Sequence, residues 1–399
     1  MQLRTPPGSP GPSPGSPPSP LRGEGFSLDE WLLDPEVAFL NHGSFGATPR
    51  AVLAEQDRWR ALMERHPTHF MSEDVPPALR SAAAKLAAFV GARPDDLVFV
   101  ENATAGCNTV LRSLRFTPGD EILVTDHGYP AVRKAAEYVA ARAGARVVEA
   151  AVPFPLEDSA QVVAAVRARL GPKTRLAIID HITSPTAIIF PVRELIELSR
   201  AAGALVLIDG AHAPGMISLD VPAVGADWYT GNCHKWLMAP KGSAFLWAAP
   251  ERQADTHPLV ISHGFGQGFT AAFDWVGTRD PSAWLSVPAA INFHERLGGV
   301  RLRKRNAALA REQATLLAKT WGTERGAPDP LTGSMAAVRL PPSEPVTPER
   351  AWELRRKLFD DHRIEVPITA FAGALWARIS AHAYNRPADY ARLAACFKT

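Results

Sequence analysis

From Leu97 to Ile208 short apolar runs alternate with longer stretches of helical period, and this alternation constrains the fold more than any other property of the chain. The short runs are Leu97–Val100, Glu121–Val124, Arg146–Glu149, Leu176–Ile179 and Leu205–Ile208. The longer stretches are Ala51–Arg65, Pro77–Val90, Ala105–Leu114, Tyr129–Ala143, Ser159–Leu170 and Val192–Ala202. A strand that must pass through a helix before reaching the next strand pairs with it in parallel. The pattern therefore predicts an α/β fold, with a large, mostly parallel sheet covered by helices on both faces. In such sheets ligands collect at the carboxyl ends of the strands, where this chain places its polar residues.

Later segments extend the plan. Gly242–Trp247 reads as one more strand, and a long amphipathic helix starts near Trp284 and continues past Arg305 to Ala318, with a break at Gly298-Gly299. Met335–Leu340, Thr347–His362, Arg363–Val366 and Trp376–Ser380 then mix strand and helix periods, which predicts a small α+β domain. The other end differs in composition. Every residue from Pro6 to Pro20 is Pro, Gly or Ser, too little apolar surface to offset the ordering of the backbone. We read residues 1–24 as a disordered tail and 25–50 as an N-terminal segment contributing to the small domain and the active site. Residues 51–320 form the large domain and 321–399 the small one. Structure is expected to begin near Phe26, where Ser27–Leu33 has the look of a capped helix.

A net charge of +2 gives no strong field, so neither nucleic acid nor an anionic membrane is expected as a partner. No run has the length of a membrane span. The three cysteines, Cys107, Cys233 and Cys396, have neither paired nor zinc-like spacing, which suits a reducing, cytoplasmic compartment without a metal site.

Three motifs carry chemistry. Leu205–Ile208 delivers Asp209-Gly210-Ala211-His212, and a small polar turn follows, Thr230-Gly231-Asn232-Cys233-His234-Lys235-Trp236. An acid at a strand's end and a lysine in such a turn suit pyridoxal 5'-phosphate: the lysine forms the Schiff base, and the acid keeps the pyridine nitrogen protonated. Glu101-Asn102-Ala103-Thr104-Ala105 follows a strand and opens a helix, offering backbone N–H groups and a hydroxyl to a phosphate. Alone, that turn is equally an ordinary cap, and Asp209 an ordinary strand end. Their order along the chain gives them weight. Lys241, in Pro240-Lys241-Gly242, reads as a turn residue.

The ordered set resembles the class V aminotransferase family of fold-type I pyridoxal-phosphate enzymes. Phe39-Leu40-Asn41-His42-Gly43-Ser44-Phe45-Gly46 is similar to the amino-terminal signature of its isopenicillin N epimerase-like branch. The resemblance, which covers Asp29 to the carboxyl terminus, implies a role for each matching residue. Lys235 would bind the cofactor and move the Cα proton, Asp209 would pair with the pyridine nitrogen, and His212 would lie near the phenolic oxygen. Ala103, Thr104 and Ala105 would hold the phosphate with Asn232 and His234. His127 would stack on the ring, with Tyr129 as an acid/base candidate, although either could stack. Thr278 would reach the phosphate of a neighbouring subunit, which implies a homodimer. Arg378 would grip the substrate carboxylate, and Asn41, His42 and Ser44 either contact substrate or shape a loop. Between Ser184 and Thr186 the choice of a cofactor contact stays open.

The loop Val366–Leu375 contains no cysteine, which argues against a persulfide-forming desulfurase. What the resemblance implies is chemistry at the Cα of an amino acid: epimerisation first, then elimination by a C–S or other β-lyase, then transamination. The contrasting class is a pyridoxal-phosphate-binding homologue without activity.

Overall fold

The computed structural model describes residues 27–397, so the proposed tail at 1–24 lies outside the described residues. Seven strands build the large sheet: β1 (Leu97–Val100), β2 (Glu121–Thr125), β3 (Arg146–Ala150), β4 (Thr174–Asp180), β5 (Leu205–Asp209), β6 (Trp228–Asn232) and β7 (Ala244–Ala248). Their order is β1-β7-β6-β5-β4-β2-β3. Pairings from β3 through β6 are parallel, and β7 runs antiparallel to both β6 and β1. The expected mostly parallel sheet is therefore present. Among its helices are α1 (Arg50–Arg65), α2 (Val75–Val90), α3 (Ala103–Ser113), α4 (Pro130–Ala143), α5 (Ser159–Arg167) and α6 (Val192–Ala201).

The central strands are buried on both faces, so a near-continuous apolar run specifies them and alternation is not needed. That explains one strand missed in the sequence. In β6 Thr230-Gly231-Asn232 reads as a turn, yet all five residues of the strand are buried. A Cβ on Gly231 would press on Phe245 and Pro214, so the glycine is there for packing.

The long helix breaks where expected. Val287–Arg296 (α7) and Val300–Trp321 (α8) meet at Gly298 and Gly299, both with positive φ, and a separate short turn, Ser282–Leu285, precedes them. Helix α8 begins against the large core at Leu302 and ends in a second core with Leu309, Ala314 and Leu317. That second core covers the antiparallel sheet of β8 (Met335–Arg339), β9 (Ile368–Phe371) and β10 (Ala374–Ser380), in the order β9-β10-β8. It also contains Ala38 and Leu40, and Ala38–Phe39 pairs in parallel with Ile364–Glu365. Two details differ from expectation. Ser27–Leu33 makes only a single capped turn, Leu28–Glu30, and Ile368–Phe371, expected as loop, is a strand paired to β10.

Candidate active site

A cavity of about 450 Å3 opens where β4, β5 and β6 end. Lys235, Asp209, His212, Thr104, Asn232, His234, Ser44 and Tyr129 line it, so distant segments of the chain meet in one place. Lys235 Nζ lies 3.2 Å from His212 Nε2. Burial, then the nearby Arg378 charge, pull the Lys235 amine down to about 7, so much of it is neutral and nucleophilic near neutrality. The Trp236 indole N–H donates to His212 Nδ1 at 3.4 Å, so the neutral imidazole carries its proton on Nε2, facing the lysine. Burial, with Lys235 and Arg378 beside it, holds His212 well below its ordinary value, hence uncharged.

Asp209 is the last residue of β5, and its Oδ1 accepts from the Ala211 N–H at 3.0 Å. Burial raises its pKa, so a cationic partner would be favoured there. The next residue has to be glycine: a Cβ on Gly210 would collide with the Tyr229 ring, whose hydroxyl bonds His181 at 2.8 Å.

At the helix-end pole two backbone donors already have partners. The N–H of Ala103 is spent on Asn232 Oδ1 at 2.8 Å, and that of Ala105 on the Asn102 side chain, which caps α3. Thr104 keeps its place at the positive end of the α3 dipole, where an anion is stabilised. Asn232 ties β6 to α3 and faces the same cavity; His234 donates through Nδ1 to the Ser243 carbonyl at 3.1 Å.

His127 is not at the cavity. It is fully buried, with Nδ1 2.7 Å from Thr186 Oγ1 and Nε2 3.1 Å from the Val152 carbonyl, among Phe154, Phe190 and Phe371. Two residues on, Tyr129 lines the cavity and stands 42% exposed. Of the two candidates, only Tyr129 faces the cavity. Thr186, held by His127 and Thr183, is likewise removed, and Ser184 lines the cavity.

Arg378, inside β10, is 5% exposed. Its Nη1 donates to the Ser184 carbonyl at 2.5 Å, and its Nη2 to Ser44 Oγ at 3.0 Å and to Asn41 Oδ1 at 3.4 Å. Its Nε is buried without an acceptor among the described residues, a donor left for a carboxylate. Asn41 and Ser44 therefore aim the guanidinium, and Ser44 also faces the cavity. His42 turns away from it. It donates through Nε2 to the Lys235 carbonyl at 3.0 Å, accepts from the Tyr384 hydroxyl at 2.7 Å, and stacks on His382 at 4.0 Å. These contacts fix the lysine turn. Gly46 follows at φ 70, where a Cβ would strike the His234 carbonyl.

Thr278 is exposed and lies outside this cavity. None of the three free cysteines lines it. Asp180 and Phe45 line it and were not singled out in the sequence, and Lys241, read there as a turn residue, lines it too. A signal for Asp180 existed: Leu-Ala-Ile-Ile-Asp in β4 has the same form as Leu-Val-Leu-Ile-Asp in β5.

The amine, the carboxylate, the helix-end pole and the partner-seeking arginine fit pyridoxal phosphate with an amino-acid substrate. Among the described residues no helix is long and apolar enough to cross a membrane, and no group of side chains could hold a metal ion.

The chain is 37% identical to isopenicillin N epimerase of Streptomyces clavuligerus, covering 91% of this chain and 94% of that one. It is 35% identical to a probable chloroplastic L-cysteine desulfhydrase of Arabidopsis thaliana, covering 90% and 82%. Its fold superposes on a cystine C-S lyase solved with cysteine persulfide, at a TM-score of 0.78 and 22% identity over 92% of this chain and 99% of that one. A variant of that lyase has been solved with glycine linked covalently to its pyridoxal-phosphate cofactor. The sequence profile of the class-V aminotransferases matches residues 46–345. With a pyridoxal-phosphate cradle at the strand ends and this match across most of its length, the chain is an enzyme that belongs to the class-V aminotransferase family.

Proposed function

We propose that this protein removes the Cα proton of an amino acid with Lys235 and expels a substituent from Cβ, the reaction type of a carbon–sulfur lyase. Bound in the cavity, pyridoxal phosphate supplies an electron sink for the negative charge that proton loss leaves at Cα. This chain's residues do the rest. Arg378 receives the substrate carboxylate through its charge and its unpartnered Nε–H, and Asn41 and Ser44 hold Nη2 in place. Lys235, close to neutral, takes the proton, while His212 holds the amine from one side through Nε2–H. His42 keeps the lysine turn in place by binding its carbonyl.

One observation carries the choice of elimination: His127 is bonded away from the cavity, so of the two candidates only Tyr129 faces it. Elimination needs one proton carrier, Lys235. Epimerisation needs a second on the opposite face, and only if the Tyr129 phenol serves both jobs is that available. The relatives named L-cysteine desulfhydrase support elimination, and the isopenicillin N epimerases support the second reading.

Incubation with L-cysteine and other candidate amino acids in heavy water tests both. Release of pyruvate and ammonia is expected. Deuterium at Cα with inversion and no pyruvate would overturn elimination in favour of epimerisation, and a pyridoxamine spectrum would point to transamination. We also propose a homodimer in a reducing cytoplasm. Thr278 faces outward near the exposed Leu259, Val260 and Ile261, apolar surface suited to a second copy. Light scattering at the monomer mass would end that proposal.

A further inference from the structure

The cavity holds a carboxylate with no part in the chemistry above. Asp180 ends β4 as Asp209 ends β5, and the two are direct partners in the parallel register. Adjacent parallel strands lie about 5 Å apart and their side chains in register share a face, so the two carboxylates stand side by side. Both line the cavity and both are buried, at 5% and 3% exposure. Asp180 also lies against the turn that carries Tyr129. The Tyr129 N–H faces its carboxylate, and a Cβ on Gly128 would come within 3.4 Å of its Oδ2.

Two neighbouring carboxylates out of water cannot both ionise without a cation between or beside them. The charged and titratable groups around this pair are few. Lys235 reaches it from the β6–β7 turn and Arg378 lies beyond the lysine, on β10. His212 and His181 are both held neutral, and Cys107 and Tyr229 are held protonated by burial and by the pair itself. No group among them supplies a dedicated positive partner. A protonated pyridine ring would.

We propose that Asp180 and Asp209 share one proton while no ring is bound, and release it when a protonated pyridine ring is seated against Asp209. The ring keeps its own N–H, which donates to Asp209, and the displaced proton leaves to solvent. Asp180 is then a positioning residue, through which the protein selects the cationic ring over the neutral one. Burial and the Asp209 charge push Asp180 well above the ordinary carboxylate range, and burial raises Asp209, the directions a proton-sharing pair requires. The inference rests on the cofactor reading and deepens it.

The test uses the full-length chain with Lys235→Ala, which removes the amine that faces both carboxylates. The probe is 4-deoxypyridoxine 5'-phosphate, whose ring nitrogen is protonated at neutral pH and which forms no covalent bond. Binding is measured by calorimetry at pH 7.5, where the phosphate is already a dianion, in buffers of different ionisation enthalpy. Release of about one proton per site is expected, falling to about zero when Asp180→Asn is added, with a loss of affinity of roughly tenfold. Equal release with and without Asp180 overturns the pair. Failure of the probe to bind overturns the cofactor reading instead. Should Asp180→Asn not fold, infrared difference spectra of the Lys235→Ala protein decide the matter. Loss of a protonated-carboxyl band on binding supports the pair, and its absence refutes it.

Discussion

The two halves of the site are built in opposite ways. The cofactor half comes from the ends of neighbouring strands, with Asp180, Asp209 and Asn232 closing β4, β5 and β6, and Lys235 three residues further on. The substrate half comes from three unrelated places: Asn41 and Ser44 near the start of the fold, Ser184 after β4, and Arg378 in the small sheet. The first half is rigid because a buried sheet fixes it. The second depends on how the small sheet and the N-terminal segment sit against the large one, and His42 ties them together at the Lys235 carbonyl. The lesson is that a cofactor can be held by one sheet, whereas substrate recognition here needs parts that no single element brings together.

The largest effect expected is for Lys235→Ala. Turnover should fall by at least about 10^4-fold, with loss of the visible absorbance of bound cofactor. Activity within tenfold of wild type would mean that Lys241, which lines the same cavity, had replaced it. Arg378→Ala should lower kcat/KM by about 100-fold, mostly through KM, because the charge and the charge-assisted Nε–H donor are lost. Arg378→Lys should recover only part of this, since an ammonium lacks the planar fork that Ser184, Ser44 and Asn41 hold in place. An unchanged KM would remove Arg378 from the substrate half.

Acid should loosen the seam between the halves. His42 is pulled by burial down to about 3, and His181, His234 and His294 to about 4. These histidines are neutral when folded and take up protons when unfolded, so their contribution is complete above about pH 6.5 and is lost as pH falls toward 4. Thermal unfolding followed from pH 7 to 5 should show a decline of several degrees. A midpoint independent of pH in that range would contradict the burial of these rings. Within the sheet, Gly210→Ala should cost about 1–3 kcal/mol by displacing Tyr229, read in a denaturant titration. The smallest contrast separates two near neighbours. Tyr129→Leu should weaken cofactor binding by roughly tenfold or less, while His127→Asn should lower stability and leave cofactor affinity unchanged. The reverse result would restore His127 to the ring.

Much of the cofactor half was legible because its residues follow strong local signals. Apolar runs ending in Asp, a helix opening after Asn-Ala-Thr, and a lysine in a His-Lys pair can be read without knowing what packs where. What the sequence left open shares one cause. Ala103 and Ala105 offer the right N–H groups, but Asn232 and Asn102 already occupy them. His127 and His42 have the right chemistry, yet each uses both ring nitrogens inside the protein. Strand β6 was read as a turn because Thr-Gly-Asn lacks β character, and only Phe245 and Pro214 packed on Gly231 explain it.

By itself the sequence determined the alternating α/β plan, the place of the lysine and its acid, and the family to which they belong. These depend on periodicity and on residues whose meaning is local. Tertiary structure alone decided which donors remain free, that Tyr129 and not His127 faces the cavity, and that Asp180 stands beside Asp209. The physical reason is that hydrogen-bond capacity and charge are settled by partners far away in the chain, and a residue already satisfied has nothing left for a ligand.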